Sequence, residues 1–499
     1  MSICFVALCA VLQVCIINCN DTAEDLNDYA KRVSVFYAKT RSILLTNQAL
    51  HGIIHPCATI KKVEGFYTMS LKEKLIKHPL GETFVNVKGN PRIVLYTEPL
   101  WIIPFNLFIP FASVYMAALL LTDRQIGLIA SIFMLFRAVT AIFSGAVTDK
   151  LGRRLTTLIF DTASWSIPCL LWALSQNFWW FVVAAAFNGL MQIPDTSWTC
   201  LLVEDTNKKY LVKIYSLLHM FAQVAVVFAP LAAILINQLS IVPAMRILYF
   251  FSFLSMTTKF IILYKYGDET EVGRTRMRET ASLSIWQIMS GYGDIYKRIF
   301  ASRDMLLALA ITTIISIIGM VYANFFGLYV TGTLLIEEYL LAYFPIVRSI
   351  VIAAVLILLQ PKLDRLGFRH PMLIGLIFFA ASYVLLILTP VDNVYTLYIL
   401  IICIIIDALA FSFVIPRSDS LTQILIEPSE RARIRGLIMV IVLGFSIPFG
   451  YLAGWLSDMD RRYPFVLVVA FIILMFAIIA ASKKRLDALR EKLMQKQES

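Results

Sequence analysis

The stretch Gly145-Ala146-Val147-Thr148-Asp149-Lys150-Leu151-Gly152-Arg153-Arg154 lies between two long apolar runs of the chain. A related stretch, Asp364-Arg365-Leu366-Gly367-Phe368-Arg369, follows another apolar run 215 residues later, counted from Asp149 to Asp364. Two Ile-Pro pairs repeat in the same order, since Ile193-Pro194-Asp195 and Ile415-Pro416-Arg417 are offset by 222 residues. Two matches in register, each at the same rank among the apolar runs, indicate an internal duplication.

The composition identifies lipid as the solvent of most of this chain. Of 499 residues, 59% are hydrophobic and 15% charged, and the mean hydropathy is +0.77. A soluble domain has roughly 25% charged residues, and a water-soluble core cannot absorb this apolar excess. The net charge of +11 comes from Lys and Arg in short segments between apolar runs. That pattern is typical of membrane topology and not of a nucleic-acid-binding domain.

The apolar runs predict an all-α membrane protein with about twelve transmembrane helices in two pseudo-symmetric six-helix bundles. A helix needs about 20 apolar residues to cross the hydrocarbon, and uninterrupted runs exclude a barrel of alternating strands. The first six helices are predicted near 100–121, 126–148, 155–175, 178–203, 210–236 and 241–264. The second six are predicted near 305–330, 337–359, 371–389, 394–416, 432–456 and 463–481.

These helices divide the chain into six regions. They are an N-terminal extension (1–68), a cytoplasmic N-terminal segment (69–98), the first bundle (99–265), a polar central loop (266–303), the second bundle (304–481) and a basic cytoplasmic tail (482–499). Residues 1–18 are apolar, but no Lys or Arg precedes them, so a signal peptide fits poorly. They are either an extra helix or translated upstream sequence. We favour the second alternative and expect a chain that starts at Met69 to insert and function normally.

Lys and Arg residues predict the orientation. They concentrate in every second connection, starting with the one after the second helix, and in the tail. The alternate connections contain only Arg124, Arg461 and Arg462. Because Lys and Arg accumulate in cytoplasmic loops, both ends of the twelve-helix unit are predicted to face the cytoplasm.

Over residues 95–481, the chain resembles the major facilitator superfamily. The resemblance rests on the quoted stretch 145–154, which is similar to that superfamily's loop signature between its second and third helices. In words, the signature is Gly, three residues, Asp, Arg or Lys, any residue, Gly, and two basic residues. The second copy has Gln360 in place of the first Gly and Phe368 in place of a basic residue. The resemblance implies alternating access, in which two six-helix bundles rock about a central site.

The resemblance also implies a conformational latch in the loop signature. Its candidate residues are Gly145, Asp149, Gly152 and Arg153, with Asp364 and Gly367 in the second copy. Asp149 is expected to face the start of the eleventh helix, near 431–436, where the helix dipole and basic side chains favour a carboxylate. Arg153 is expected to pair with Asp149, or with Glu204 and Asp205.

Polar residues inside the apolar runs are candidates for a substrate or proton pathway: Asp161, Asp195, Asp407, Arg137, Arg348, Arg417 and Asn324. By resemblance, Asn106, Tyr115, Trp198 and Tyr322 are further cavity candidates. We expect an ion pair between Arg137 and Asp161, and a partner for Arg348 that is either Asp407 or an anionic substrate. Asp195 and Arg417 are expected to form a gate, a part of the binding site, or an interfacial pair. Lys259 and Arg246 are expected to snorkel to helix ends.

The sequence therefore predicts a secondary active transporter of a small solute, coupled to an ion, with the proton favoured. The direction of transport, symport or antiport, stays open. No enzymatic motif, metal site or cofactor site is predicted, and the partners are the solute, the ion and membrane lipid. We expect a monomer in the cell membrane. A non-transporting membrane sensor on the same scaffold is the alternative function.

Overall fold

The protein is a bundle of long helices. The computed structural model describes residues 83–84, 86–206, 208–289, 299–359, 367–425, 431–483 and 485–486, and no strand occurs among them. The predictions for 1–68, for most of the tail and for Asp364 lie outside these residues. The fold class predicted from the sequence is confirmed.

Six helices, α1 to α6, form the first half. Their bounds are Asn90–Ala118, Asp123–Leu151, Arg153–Leu174, Phe178–Val203, Lys208–Leu239 and Ile241–Tyr266, with a break in α5 between Val226 and Ala229. The second half contains α7 to α12: Arg303–Gly332, Phe344–Leu358, Arg369–Ile387, Thr396–Ile424, Arg431–Met459 and Tyr463–Ala481. A short 3-10 turn, Glu338–Ala342, leads into α8.

Within the described residues, eleven of these helices are long and apolar enough to cross a membrane when the span of α8 is counted from Glu338. The remaining one, α4, carries the polar residues Asn188, Gln192 and Asp195 inside its length.

Helix ends follow local sequence signals. Thr122 accepts a hydrogen bond from the Gln125 amide at 3.2 Å, and the Gln125 side chain accepts one from the Thr122 amide at 3.0 Å, which forms a capping box at the start of α2. Gly152 separates α2 from α3 with a φ of +82°, and Gly367 in the second copy has a φ of +72°. Both values favour glycine, so the two copies of the loop share a backbone requirement.

Helix α1 begins at Asn90, earlier than the prediction of 100. The side-chain amide of Asn90 donates to the Asp268 backbone carbonyl at 2.9 Å, and its Oδ1 accepts from the Asp268 backbone N–H at 2.9 Å. This contact ties the start of α1 to the chain that follows α6. Apolar patterning placed the start too late because the buried Glu98 interrupts the run.

The described part of the central loop contains two helices: Glu271–Thr280, which we call the loop helix, and the short Ile285–Met289. The side chain of Thr270 caps the loop helix by accepting from the Gly273 amide at 2.9 Å. The loop helix packs against the end of α2, where the Thr280 hydroxyl donates to the Asp149 carbonyl at 3.2 Å. We call this end of the bundle the signature end.

The two halves meet closely at the opposite end of the bundle. Helix α2 packs along α11, the end of α1 packs on α7, and the second part of α5 packs on the turn before α8. A Cβ built at Gly127 would lie 2.4 Å from the Gly450 carbonyl oxygen and 2.7 Å from the Gly454 Cα. Only glycine allows the two backbones to come so close, as small residues do between membrane helices.

Candidate functional site

Arg153 is the hub of a charged cluster at the signature end. Its guanidinium lies 3.0 Å from the Glu204 carboxylate and 3.1 Å from that of Asp149, and its side chain is only 4% exposed. The Nε also donates to both Glu204 oxygens, at 3.1 and 3.2 Å. We call Asp149, Arg153, Glu204, Glu269 and Thr270 the signature cluster. Arg153 thus binds two of the three carboxylates considered from the sequence, Asp149 and Glu204, while Asp205 accepts from the Asn90 side-chain amide at 3.5 Å.

Glu269 closes the signature cluster from the side of the central loop. Its carboxylate accepts from the backbone amides of Arg153 and Arg154, each at 3.0 Å, at the N-terminus of α3. A carboxylate is favoured there by the unpaired amides and the helix dipole. The Thr270 hydroxyl donates to Glu204, so the loop before the loop helix is fixed to the hub. A Cβ at Gly152 would lie 2.6 Å from Glu269 Oε2, so this contact requires glycine.

The proposed contact between Asp149 and the start of α11 depends on the side chains of Arg431, Arg433 and Arg435, which are outside the description. Gly145 is half-buried within α2. The role of Asp149 and Gly145 as parts of a conformational latch therefore stays a prediction.

A second charged cluster lies at the opposite end and joins the two halves. Asp123, which begins α2 and is 5% exposed, binds the Arg461 guanidinium at 2.8 and 3.1 Å and accepts from the Ser457 hydroxyl at 2.6 Å. Arg461 also donates to the Leu328 carbonyl of α7 at 3.3 Å. We call Asp123, Ser457 and Arg461, with the neighbouring ion pair, the opposite-end cluster.

The neighbouring ion pair reinforces this closure. Arg124 and Asp458 lie 3.4 Å apart, and the Arg124 amide donates to Asp458 at 3.2 Å. About two turns deeper, the Ser131 hydroxyl donates to the Ile447 carbonyl at 2.7 Å and accepts from the Tyr451 amide at 2.8 Å. Helices α2 and α11 are thus held by charge, hydrogen bonds and glycine contacts together.

Lys259 forms a buried ion pair and does not snorkel, so that expectation was wrong. Its ammonium lies 2.8 Å from Glu98, and the lysine is 4% exposed. The rings of Trp101 and Trp198 lie 5.7 and 5.9 Å from the ammonium and add cation–π attraction. Arg246, by contrast, is exposed and donates to the Ser175 carbonyl at 3.0 Å, near the helix ends, as expected.

Arg137 contacts Gln192 and not Asp161, so the expected ion pair with Asp161 is absent. Its Nε donates to the Gln192 carbonyl oxygen at 3.3 Å, and the Gln192 amide donates to Asp195 at 3.3 Å. Asp195 is exposed although it lies inside α4. Asp161 is buried on α3, where its electrostatic neighbours are Lys259, Glu98 and Asp195. The amide of Gln192, which the sequence analysis did not single out, mediates between the two charges.

Arg348 in the second half pairs with Asp407, one of the two partners considered from the sequence. The Nε lies 2.8 Å from Asp407 Oδ2. The rings of Tyr322 and Phe411 lie 5.4 and 4.5 Å from the guanidinium carbon. Placing a charged side chain at the bilayer centre costs at least ~2.5–3.5 kcal/mol of insertion free energy. A charged side chain inside a membrane helix is therefore a candidate for a functional role.

The other cavity candidates are held mostly by local contacts. Arg417 is buried and donates to the Phe413 carbonyl at 3.2 Å, and no ion pair joins it to Asp195 within the described chain. The side-chain amide of Asn324 donates to the Met320 carbonyl, one turn earlier, at 2.8 Å. The side-chain amide of Asn106 donates in the same way to the Ile102 carbonyl at 2.8 Å. Tyr115 is fully buried and donates to Trp172 at 2.8 Å, which removes it from any cavity.

The pattern of the Major Facilitator Superfamily matches residues 102–451, more than half of the chain and both halves of the bundle. The chain belongs to this superfamily. Its many long apolar helices agree with a multi-pass membrane protein of this superfamily. The signature cluster therefore joins two residues of the loop signature, Asp149 and Arg153, to three residues outside it, Glu204, Glu269 and Thr270.

One relative is similar in sequence to a part of this chain, and two solved structures are similar to its fold. The multidrug resistance protein MdtG of Serratia proteamaculans is 36% identical over 92 residues, which are 17% of this chain and 22% of MdtG. The chain thus matches about a fifth of the length of this relative. The nucleoside transporter NupG has a similar structure, with a TM-score of 0.62 at 14% identity over 80% of this chain and all of that one. A bacterial homologue of the iron transporter ferroportin, in an inward-facing state, gives a TM-score of 0.60 at 13% identity over 79% and 98%.

One stability prediction follows for this superfamily member. Lys259→Met should destabilise the protein by about 3–5 kcal/mol, because Glu98 would remain buried without its partner. Thermal unfolding in detergent measures the effect. The double variant Lys259→Met/Glu98→Leu should recover most of the loss, since it removes both charges. Equal melting temperatures for wild type and Lys259→Met would contradict a buried ion pair.

Proposed function

We propose that this protein moves a small solute across the cell membrane by alternating access, as a monomer, with protons as the coupling ion. The signature end, the central loop and the C-terminus face the cytoplasm. Cysteine introduced at Lys150 should escape labelling from outside intact cells.

The observation that carries this proposal is the closure of the opposite end by contacts between the two halves, while no ion pair among the described residues joins the halves at the signature end. At the opposite end, Asp123 of the first half binds Arg461 and Ser457 of the second half, and Arg461 reaches α7. At the signature end, the hub Arg153 binds residues of its own half, Asp149 and Glu204. This arrangement is the one expected for a carrier that is closed to the outside.

Alternating access requires that the outer closure be exchanged for an inner one during each cycle. The glycine contacts of α2 and α11 allow a tight fit, and the few ion pairs across the interface can separate without unfolding either half. The latch at Asp149 would then favour the opposite, inward-closed state, in which the start of α11 approaches it.

Proton coupling is assigned to Asp161. Asp161 lies inside α3, is buried, and has no ion pair among the described side chains, while Lys259 nearby is already bound to Glu98. A carboxylate in such a place can exchange a proton between states of the cycle at a modest cost in free energy, because neither form is fixed by a direct partner.

Asp161→Asn should therefore abolish transport driven by a pH gradient while preserving solute exchange at equal concentrations. A loss of accumulation of at least about tenfold is expected, since a proton gradient of one pH unit is worth ~1.4 kcal/mol. Proteoliposomes loaded with a panel of metabolites, with and without a pH gradient, measure both activities. Asp304→Asn, which alters an ion pair with Arg485 near the start of α7, is the control. Normal gradient-driven accumulation by Asp161→Asn would contradict the assignment.

A further inference from the structure

Two arginines occupy corresponding helices of the two halves. Arg137 lies in the middle of α2, and Arg348 lies within α8, the second helix of the second half. Each is held through its Nε by a polar side chain of the fourth helix of its own half, Gln192 of α4 or Asp407 of α10. The duplication therefore places one anchored guanidinium in each half.

The terminal amino groups of both arginines are free to bind. Hydrogen bonds to described residues involve only the Nε of Arg137 and of Arg348. Neither arginine has an enclosed nitrogen that lacks a partner, so the terminal amino groups reach open space, and the Arg348 side chain is 26% exposed. Two parallel N–H donors on a planar guanidinium match the two oxygens of a carboxylate.

The charge of Arg137 is not neutralised by direct contact. Its bonded neighbour, Gln192, is neutral, and Asp195 lies beyond that amide at 3.3 Å from it. No described carboxylate forms an ion pair with Arg137. Arg348 shares its charge with Asp407 through a single oxygen. The described carboxylates therefore do not fully balance the positive charges of the two arginines, so an additional anionic group would be favoured beside them.

Both arginines stand on helices that form the boundary between the halves. Helix α2 packs on α11, and α8 with its preceding turn packs on α5. Aromatic rings accompany both guanidinium groups: Phe133 lies 6.0 Å from Arg137, and Phe411 and Tyr322 flank Arg348. An apolar solute body can pack against these rings while its anionic group meets the amino groups.

We propose that the solute of this transporter is an organic anion with a carboxylate and an apolar body, held by Arg137 and Arg348 from the two halves. The proposal rests on the transport function proposed above. A carboxylate bound between the halves would contact residues that move relative to each other, so its binding would be coupled to the conformational cycle.

Thermal stabilisation of the purified full-length protein tests this inference with benzoate as the probe. Benzoate should raise the melting temperature, while its neutral analogue benzamide, its cationic analogue benzylamine and inorganic phosphate should not. Arg137→Gln and Arg348→Gln should each weaken benzoate binding about tenfold to hundredfold, the size of a lost charge-assisted hydrogen bond. Arg246→Gln, an exposed arginine outside the pair, should bind benzoate normally.

Lysine variants keep the test usable if a glutamine variant does not fold. Arg137→Lys and Arg348→Lys retain the charge and should bind benzoate more weakly than wild type but more tightly than the glutamine variants. Absence of benzoate binding, equal stabilisation by benzamide, benzylamine or phosphate, or unchanged binding by the variants would each overturn the inference. Any of these results could be obtained while a cross-link between α2 and α11 still blocks transport. The assignment of an organic anion as the solute would then fail, and the proposed transport function would stand.

Discussion

Gly454→Leu is expected to reduce transport roughly 5–150-fold while the protein still inserts into the membrane, because overpacking a tight contact typically costs ~1–3 kcal/mol. A Cβ at Gly454 would lie 2.7 Å from the Asp123 carbonyl oxygen and 2.9 Å from the Gly127 Cα, both of which are backbone atoms of α2. Backbone cannot rotate away as a side chain can. The leucine would therefore disfavour the state closed at the opposite end.

The same helix supplies a matched control for this variant. A Cβ at Gly444, also on α11, meets nothing within 4 Å, so Gly444→Leu should transport nearly as well as wild type. Solute exchange in proteoliposomes, normalised to the amount of inserted protein, compares the two variants. Equal activity of Gly454→Leu and Gly444→Leu would show that the close contact of α2 and α11 is not needed in the cycle.

Asp149→Asn is expected to impair transport far more than expression. The substitution keeps the size of the side chain but removes the attraction to Arg153, which lies 3.1 Å away, and to the start of α11 in the inward-closed state. Arg153 would keep Glu204, so the fold of the first half should persist. The conformational equilibrium should shift toward the cytoplasm-open state by about 1–3 kcal/mol, the usual range of coupling free energies.

Labelling of a cysteine at Asn324 reports this shift directly. Asn324 is half-buried on α7, and its reactivity should rise from the cytoplasmic side in Asp149→Asn. Lys150→Gln is the control, because among the described residues the Lys150 ammonium donates only to the Leu283 carbonyl, at 2.8 Å. If Asp149→Asn transports at the normal rate with unchanged labelling, Asp149 is an interfacial charge and not a latch.

The sequence predicted the features that depend on local pattern. Apolar runs located the helices, and the repeated Asp-basic-Leu-Gly stretch located the duplication. The latch implied by the resemblance named Asp149, Glu204 and Asp205 as possible partners of Arg153, and the first two are its partners in the structure. Arg348 and Asp407 were recognised as candidates because a charge inside a membrane helix needs a partner or a wet cavity.

The features that the sequence did not predict are contacts between distant helices. Glu98 and Lys259 are 161 positions apart, and Asp123 and Arg461 are 338 apart, so no spacing rule connects them. Glu269 caps α3 from the central loop, which the sequence analysis treated as merely polar. The Lys/Arg-poor connections did carry one signal for the opposite-end cluster, since Arg124 and Arg461 are two of only three basic residues there, with Arg462 as the third.

The most direct test of alternating access is a cross-link across the opposite end. Arg124 and Asp458 lie 3.4 Å apart at the ends of α2 and α11, so cysteines at these positions can be joined in a background without the eight native cysteines. Cysteines at Gln125 and Asn177, which border one shallow depression of the first half, provide a control that does not link the halves. A short bifunctional thiol reagent that can be cleaved by reduction joins either pair.

We predict that linking positions 124 and 458 stops solute transport, that reduction restores it, and that the control link leaves it unchanged. Undiminished transport with positions 124 and 458 joined would contradict transport by alternating closure of the two ends.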